Sequence, residues 1–212
     1  MSVSPQVVVV IPCFNESQRL QGAEFVEFAA ARPHLRFLFV NDGSTDTTLH
    51  CLRAICSDLP AQLQVHDLPH NQGKAEAVRQ GLLAALKHKP DLVGYWDADL
   101  ATPLAAIDQA IDVLARRAEL DIVAGVRLPL QGHTIQRKPL RRWLGRNFAR
   151  CATQALRLSM VDTQCGAKML RSGEALRWVL AQPFQSRWIF DVELFVRWRL
   201  FLQHAGEPPL AA

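Results

Sequence analysis

The sequence predicts an α/β fold in which a central, mostly parallel sheet is flanked by helices. Short apolar runs alternate with segments of helical composition, and the runs are rich in β-branched or aromatic residues. Units that alternate in this way form parallel sheets whose strands are buried on both faces. With 212 residues and 49% hydrophobic composition, the chain is long enough for one sizeable core. We therefore expect a single domain over residues 1–212.

Each apolar run is expected to be a strand, and each intervening segment a helix. The expected strands are Val7–Ile11, Arg36–Val40, Leu63–Asp67, Leu92–Trp96 and Asp121–Val126. The expected helices between them are Ser17–Ala31, Asp46–Ser57, Lys74–His88 and Pro103–Arg117. Ser17, Asp46 and Thr102 are suitable N-caps, because their side-chain oxygens accept hydrogen bonds from the free amides of a first helical turn.

A final helix is expected at roughly Ser186–Gln203, and it is unusually apolar. A helix that is apolar on nearly every side must be buried in the core, paired with another subunit or pressed into lipid. We expect core packing against the sheet, with membrane contact as the alternative.

Cysteine content and the first apolar run narrow the class of protein. The five cysteines are an odd number and include no Cys-x-x-Cys pair. Neither a disulfide framework nor a zinc site is therefore indicated, and a reducing cytoplasm fits best. The run Val7–Ile11 is too short for a signal sequence or a membrane span. We expect a cytoplasmic protein without a transmembrane segment.

Positive charge is concentrated in one part of the chain. The net charge is +4, yet residues 122–161 contain no Asp or Glu, which points to an anionic partner. The basic residues of this segment are Arg127, Arg137, Lys138, Arg141, Arg142, Arg146, Arg150 and Arg157. Arg142, Arg146 and Arg150 recur every fourth residue, so a helix here would carry a basic stripe suited to an anionic membrane. An ordinary solvated helix face is the alternative, and no nucleic-acid partner is expected.

Two aspartates follow the fourth apolar run and share one face. Asp97 and Asp99 are separated by one residue, so on an extended strand their side chains point the same way, with Cα atoms roughly 6.5 to 7 Å apart. Two such carboxylates repel each other unless a cation lies between them. Mg²⁺ or Mn²⁺ prefers oxygen ligands and would take the phosphates of a bound nucleotide as further ligands. Ordinary turn chemistry is the alternative explanation.

Polar turns are expected at one edge of the sheet. Pro12–Glu16 follows the first strand, Asn41–Asp46 follows the second, and the two aspartates follow the fourth. Ligands of parallel sheets bind at the carboxyl ends of the strands. The turns would therefore converge on one cleft.

Six short segments, spread over about residues 7–196, match motifs of a known family and occur in the same order as in that family. They are Val10–Glu16, Val40–Asp46, Asn71–Lys74, Asp97–Leu100, Asp162–Lys168 and Trp188–Leu194. With these segments the chain resembles the family 2 glycosyltransferases with the GT-A fold, in particular the polyprenyl-phosphate (dolichyl-phosphate) sugar synthases. One such segment is weak evidence, whereas six in the same order are strong.

The resemblance implies roles for the matching positions. The residues expected to bind the nucleotide sugar are Pro12, Asn15, Glu16, Asp42, Gly43, Lys74 and Asp97. Asp42 would meet the base or ribose, and Asp97 with Asp99 would hold Mg²⁺ or Mn²⁺ on the donor diphosphate. The metal would neutralise charge that develops on the departing nucleotide, while the acceptor attacks from the opposite face and inverts the anomeric centre.

The resemblance also implies a polyprenyl-phosphate acceptor. Arg127, Arg141 and Arg142 are the expected ligands of its headgroup, because guanidinium groups bind phosphate in bidentate fashion. A phosphate oxygen is already ionised near neutral pH, so its attack requires no strong base. An acceptor hydroxyl would need a carboxylate base, for which Asp162 is the best match, with Asp191 and Glu193 in reserve.

We therefore expect an inverting, metal-dependent glycosyltransferase that moves a hexose from a donor of the UDP-glucose or GDP-mannose type to a lipid phosphate at the inner face of a membrane. The alternatives are a soluble or hydroxyl acceptor, or a nucleotide-sugar-binding subunit without catalysis of its own. A nucleotidyltransferase would need a Gly-rich basic loop after the first strand, which Pro12–Glu16 does not provide. Ala101 stands where mannose-transferring relatives often have glutamine, so the sequence does not predict which hexose is transferred. The sequence predicts no oligomeric state.

Overall fold

A computed structural model describes residues 4–125 and 165–204 of the chain. Its strands form one sheet in the order β3-β2-β1-β4-β6-β5. They are β1 (Val7–Cys13), β2 (Leu35–Asp42), β3 (Leu63–Leu68), β4 (Leu92–Trp96), β5 (Ile122–Ala124) and β6 (Ala167–Arg171). The first four strands are parallel to one another, whereas β6 runs antiparallel to both β4 and β5. The predicted α/β fold with a mostly parallel sheet is confirmed.

Helices cover both faces of this sheet. They are α1 (Gly22–Ala30), α2 (Thr48–Asp58), α3 (Lys74–Leu86), α4 (Ala105–Arg116), α5 (Glu174–Leu180) and α6 (Phe190–Gln203). Alternate residues of β1 point to opposite layers. Val9 belongs to a core cluster with Phe25 of α1, whereas Val10 belongs to a second cluster with Leu82 of α3. Burial on both faces is the reason why β1 reads as a continuous apolar run.

Helices α1 and α2 begin later in the chain than the sequence predicts. Ser17 is not a cap of α1, because its hydroxyl donates to Asp46 Oδ2 at 2.7 Å and thereby joins two loops. α2 begins at Thr48, whose amide donates to Asp46 Oδ1 at 2.9 Å. Hydrogen bonds from Thr48 and Ser17 lower the pKa of Asp46 to about 2. Asp46 therefore stays ionised and stabilises the turn that leads into α2.

Strand β6 and helix α5 are described elements that sequence patterning misses. The strand contains Lys168 at its second position, and a charge there interrupts the apolar run that marks a buried strand. In the structure this lysine is fully buried and paired with Asp191. β5 is also shorter than expected and pairs with β6 in the antiparallel direction, so it does not extend the parallel half of the sheet.

The apolar final helix packs in the core, as expected. α6 begins at Phe190, four residues after the predicted start, and the Ser186 hydroxyl accepts a hydrogen bond from the Ile189 amide at 2.9 Å. Phe190, Leu194 and Trp198 are buried against α3, α5 and the sheet. In the described ranges, no helix is both long and apolar enough to cross a membrane.

Helix α3 approaches the sheet closely at Gly81. A Cβ atom here would lie 2.4 Å from Val10 Cγ1 and 2.7 Å from Val40 Cγ2. Both valines are buried in strands and have no room to move. Gly81→Ala should therefore lower the free energy of unfolding by about 1–3 kcal/mol through overpacking, despite the better helix propensity of alanine. Urea denaturation measures this change.

Gly173→Ser is the matched control for this substitution. No heavy atom lies within 4 Å of a Cβ built at Gly173, and serine is favoured at the N-cap position that this residue occupies. Its stability should stay within about 0.5 kcal/mol of the wild type. Equal stability of the Gly81→Ala protein and the wild type would contradict the close approach of α3 to the sheet.

Candidate active site

A cleft of about 430 Å³ opens at the carboxyl ends of the parallel strands. The turns after β1, β2 and β4 contribute to it, together with the beginning of α3 and the segment that precedes α6. Its lining residues are Pro12, Cys13, Phe14, Glu16, Arg19, Asp42, Asn71, Gly73, Lys74, Ala77, Asp97, Ala98, Asp99 and Trp188. The three polar turns therefore converge as the sequence predicts, and the cleft has the size of a small-molecule site.

The turn after β4 brings the two paired aspartates into the cleft. The Asp97 amide donates to the Gly166 carbonyl at 2.9 Å, and its carboxylate lies against the Cα atom of Gly166. A Cβ atom at Gly166 would be only 1.8 Å from Asp97 Oδ2, so a larger residue there would displace this carboxylate. Asp99 is exposed, and its Oδ1 accepts a hydrogen bond from the Ala101 amide at 3.0 Å. Asp97 is therefore held from behind, whereas Asp99 faces solvent.

A lysine at the start of α3 neutralises one of these carboxylates. Lys74 Nζ donates to Asp97 Oδ1 at 2.5 Å. The Lys74 side chain is 28% exposed and the Asp97 side chain is 29% exposed. The loop that precedes Lys74 is fixed by Asp42, which accepts hydrogen bonds from the Gln72 amide at 2.7 Å and the Gly73 amide at 2.9 Å. Asp42 lines the cleft, but both of its oxygens are occupied by this loop.

Asn15 joins two of the turns to each other. The Asn15 Oδ1 atom accepts a hydrogen bond from the Thr45 backbone amide at 2.9 Å, and the Asn15 backbone amide donates to Ser44 Oγ at 3.0 Å. Gly43 also has a structural role, because it has a φ of +61° and a Cβ atom would lie 2.3 Å from the backbone of His70. Asn15 and Gly43 therefore shape the cleft, but neither is among the residues that line it.

Glu16 presents an unsatisfied acceptor to the cleft region. Its Oε1 accepts from Arg19 at 2.8 Å, whereas Oε2 is buried and has no hydrogen-bond partner among the described residues. Burial raises the pKa of Glu16, and the nearby carboxylates of Asp99 and Asp46 raise it further, while Arg19 opposes them. A ligand that brings a hydrogen-bond donor or a cation would remove this unfavourable state.

The cleft chemistry fits a divalent ion held jointly with a ligand. Within residues 4–125 and 165–204, no three His, Cys, Asp or Glu side chains are grouped so as to hold a metal ion. Asp97 and Asp99 would therefore supply two carboxylates, with bound phosphates and water as the remaining ligands. The contact of Lys74 with Asp97 indicates that this carboxylate already attracts a cation.

A buried polar cluster lies behind the cleft. Lys168 Nζ donates to Asp191 Oδ1 at 2.6 Å and to the Cys165 carbonyl at 2.7 Å. The Tyr95 hydroxyl donates to the same Asp191 oxygen in a short hydrogen bond. Burial lowers the pKa of Lys168, and the Asp191 carboxylate opposes this effect. Burial and the same carboxylate raise the pKa of Tyr95.

The predicted site residues fall into three groups. Those that line the cleft are Pro12, Glu16, Asp42, Lys74, Asp97 and Asp99. Those described but outside the lining are Asn15, Gly43 and Asp191. Those that lie outside the described residues are Arg127, Arg141, Arg142 and Asp162.

Sequence reasoning missed the aromatic side chains of the cleft. Trp188 lines it and is 73% exposed, and Phe14 lines it and is 42% exposed. Both belong to segments that carry the family resemblance, so an aromatic residue beside the charged positions was the available signal. An exposed tryptophan at a cleft offers a flat surface on which a base or sugar ring stacks.

Known proteins match most of this chain. The family model "Glycosyl transferase family 2" matches residues 8–175. A dolichyl-phosphate beta-glucosyltransferase of Trichomonas vaginalis is 33% identical over 199 residues, which cover 88% of this chain and 58% of the relative. The enzyme of that name from Saccharomyces cerevisiae is 29% identical, with coverage of 89% and 61%. The chain thus spans about three fifths of the length of these curated relatives.

A bacterial relative and two solved structures extend the comparison. Dodecaprenyl-phosphate galacturonate synthase of Rhizobium johnstonii is 33% identical, with coverage of 58% of this chain and 36% of the relative. Glucosyl-3-phosphoglycerate synthase of Mycobacterium tuberculosis, solved with Mn²⁺, UDP and phosphoglyceric acid, aligns with a TM-score of 0.66 at 17% identity, over 96% of this chain and 66% of that one. Mannosyltransferase PcManGT of Pyrobaculum calidifontis, solved with GDP-Man and Mn²⁺, aligns with a TM-score of 0.57 at 21% identity, over 86% of this chain and 48% of that one.

These structural neighbours share the GT-A fold with the chain, which confirms the predicted fold class. The family match covers well over half of the sequence, and it includes the turns that form the cleft. By fold, by cleft and by sequence, the chain belongs to glycosyl transferase family 2.

Proposed function

We propose that this chain transfers a hexose from a nucleotide sugar to a polyprenyl phosphate with the help of a divalent metal. One observation carries the proposal: Asp97 and Asp99 share a single cleft with Glu16, Asp42 and Lys74. The cleft thus combines a metal-binding pair with groups suited to a nucleotide. Curated relatives named dolichyl-phosphate beta-glucosyltransferase support the acceptor class.

The donor would bind along the turns after β1 and β2, with its diphosphate at the turn after β4. The free Oε2 atom of Glu16 would accept a hydrogen bond from the nucleoside, and Trp188 would cover a ring of the donor. A divalent ion on Asp97 and Asp99 would supply electrostatic stabilisation of the nucleoside diphosphate leaving group. Lys74 would move from Asp97 to a phosphate oxygen, since an ammonium group binds either anion.

The acceptor arginines are proposed from the connectivity of the chain. Gly125 is hydrogen-bonded to β6, with its amide 2.9 Å from the Ala167 carbonyl, and a Cβ atom on it would lie 3.0 Å from Cys165 Sγ. Gly125 and Cys165, the described residues on either side of the basic segment 126–164, therefore lie near Gly166, which contacts Asp97. Arg127 follows Gly125 by two residues in the sequence, and it is proposed as a headgroup ligand on this ground. A lipid phosphate held by such arginines would attack as an anion.

The charge of the same segment supports a proposal of attachment to an anionic membrane surface. Basic residues near a lipid headgroup layer contribute about 1 kcal/mol each. We propose peripheral association with the cytoplasmic leaflet, at which a polyprenyl phosphate presents its headgroup. A carboxylate base is unnecessary for an ionised phosphate acceptor, so Asp162 would act as a base only if the acceptor were a hydroxyl.

Calorimetric titration with UDP-glucose and GDP-mannose, each with and without Mn²⁺, tests the donor site. One donor should bind at least about tenfold more tightly with Mn²⁺, which corresponds to about 1.4 kcal/mol. The preferred donor should then support transfer of the labelled sugar to dolichyl phosphate in detergent. Transfer to a soluble acceptor, but not to dolichyl phosphate, would contradict the lipid acceptor. Failure of both donors to bind would contradict the nucleotide-sugar site.

Asp99→Ala should abolish the effect of Mn²⁺ on donor binding, because Asp99 is the solvent-facing carboxylate of the metal pair. Binding without metal should change less than about twofold, since the nucleoside contacts lie on other turns. Asp112→Ala is the control, because Asp112 is an exposed carboxylate on α4 outside the cleft. Full activity of the Asp99→Ala protein would show that the metal assignment is wrong.

Arg142→Ala should raise the KM for the lipid acceptor about 10- to 100-fold, since a charge-assisted hydrogen bond contributes about 1.5–3 kcal/mol. Donor affinity should be nearly unchanged. Arg116→Ala, which removes an exposed arginine of α4, should leave both quantities unchanged. Loss of donor binding in the Arg142→Ala protein would assign this arginine to the donor and contradict its acceptor role.

A further inference from the structure

A buried ion pair behind the cleft has no part in the transfer chemistry proposed above. Lys168 is fully buried and Asp191 is 4% exposed, and their side chains are 2.6 Å apart. Burial of two charges has a large desolvation penalty, and an apolar replacement of similar volume is often neutral or stabilising. Stability alone is therefore a weak reason for this pair, and its other contacts deserve examination.

Lys168 connects the pair to the metal-binding turn. Its Nζ donates a second hydrogen bond to the Cys165 carbonyl, at 2.7 Å. The next residue, Gly166, accepts the Asp97 amide with its carbonyl and supports the Asp97 carboxylate with its Cα atom. The lysine thus fixes the stretch of backbone against which a metal ligand rests.

Asp191 connects the pair to a second wall of the cleft. It lies in the first turn of α6, three residues after Trp188, whose side chain lines the cleft. Arg187 directly precedes Trp188. The Arg187 carbonyl accepts a hydrogen bond from the Ala75 amide at 3.3 Å, and its Nε donates to the Gln72 carbonyl at 3.3 Å. The segment before α6 is therefore attached to the loop that carries Lys74.

We propose that Lys168 and Asp191 are positioning residues that hold Asp97 and the Lys74 loop in register for a metal-bound diphosphate. This inference rests on the proposed function. Asp191 is then not a base. It is absent from the cleft lining, and its Oδ1 atom already accepts hydrogen bonds from Lys168 and Tyr95. The ion pair acts on the metal half of the site and leaves the nucleoside half, on β1 and β2, alone.

Binding of UDP and GDP, with and without Mn²⁺, separates these two halves. For each nucleotide, the ratio of the affinity with Mn²⁺ to the affinity without it is here called the metal increment. This ratio reports on the turn at Asp97, whereas binding without metal reports on the nucleoside contacts. Loss of a residue that orients a metal ligand lowers metal affinity about 10- to 100-fold. The Lys168→Met/Asp191→Leu protein replaces the ion pair by two apolar, neutral side chains. Its metal increment should therefore be smaller than that of the wild type by about tenfold or more. Its binding without Mn²⁺ should change less than about twofold.

Two controls distinguish positioning from general destabilisation. Tyr95→Phe removes a hydroxyl from the same cluster but leaves the bonds of Lys168 to Asp191 and Cys165, so it should retain the metal increment. Phe25→Leu destabilises the opposite core cluster and should retain it as well, despite a lower melting temperature. If the double variant does not fold, Asp191→Asn, which keeps the shape of the side chain, should show a smaller loss in the same direction.

The outcomes separate this inference from the proposed function. A wild-type protein whose nucleotide affinity does not respond to Mn²⁺ would contradict the metal-dependent function itself. A wild type that responds, together with a folded double variant or Asp191→Asn variant that keeps the full metal increment, would overturn only the positioning role. A variant with a normal metal increment but a lost acidic limb in its pH–rate profile would restore Asp191 as a base.

Discussion

The position of β4 in the sheet is the constraint on which the site depends. β4 pairs with β1 in the parallel direction and with β6 in the antiparallel direction, so that Trp96 lies opposite Ala167. The carboxyl end of β4 and the amino end of β6 therefore meet at the same edge. This is why Asp97 emerges beside the turns of β1 and β2 and also rests on Gly166. A sheet that was parallel throughout would leave the aspartate without this support.

The balance of charge in the cleft would favour a divalent cation in the proposed function. Among the lining residues, the carboxylates outnumber the cations, and a nucleoside diphosphate would add further negative charge. Opposite charges within 4–6 Å stabilise one another, whereas like charges in a partly buried cleft repel. The carboxylates are Glu16, Asp42, Asp97 and Asp99, and the cations are Arg19 and Lys74. A metal ion between the aspartates and the phosphates would turn this repulsion into attraction.

The parallel half of the fold and its cleft were predictable, because strands buried on both faces produce unbroken apolar runs and their polar ends must meet. β6 was not predictable by the same means. Its Lys168 is buried and is neutralised by Asp191, 23 residues later. The role of Asp42 was hidden for a similar reason, since its partners are the amides of Gln72 and Gly73. Contacts between distant segments leave no local pattern.

In the proposed function, the distribution of charge would separate the two substrates. The segment 126–164 contains eight of the 24 Lys and Arg residues but one of the 20 Asp and Glu residues, so the rest of the chain, with 16 basic and 19 acidic residues, has a formal charge of −3. The anionic part carries the cleft, and it would gain affinity for a diphosphate through a metal ion. The cationic segment would suit a lipid phosphate without one. Gly125 and Cys165, the described residues on either side of this segment, lie near Gly166, which supports Asp97. The proposed reaction would then bring the two anions together between opposite potentials, where each would be stabilised by its own partner.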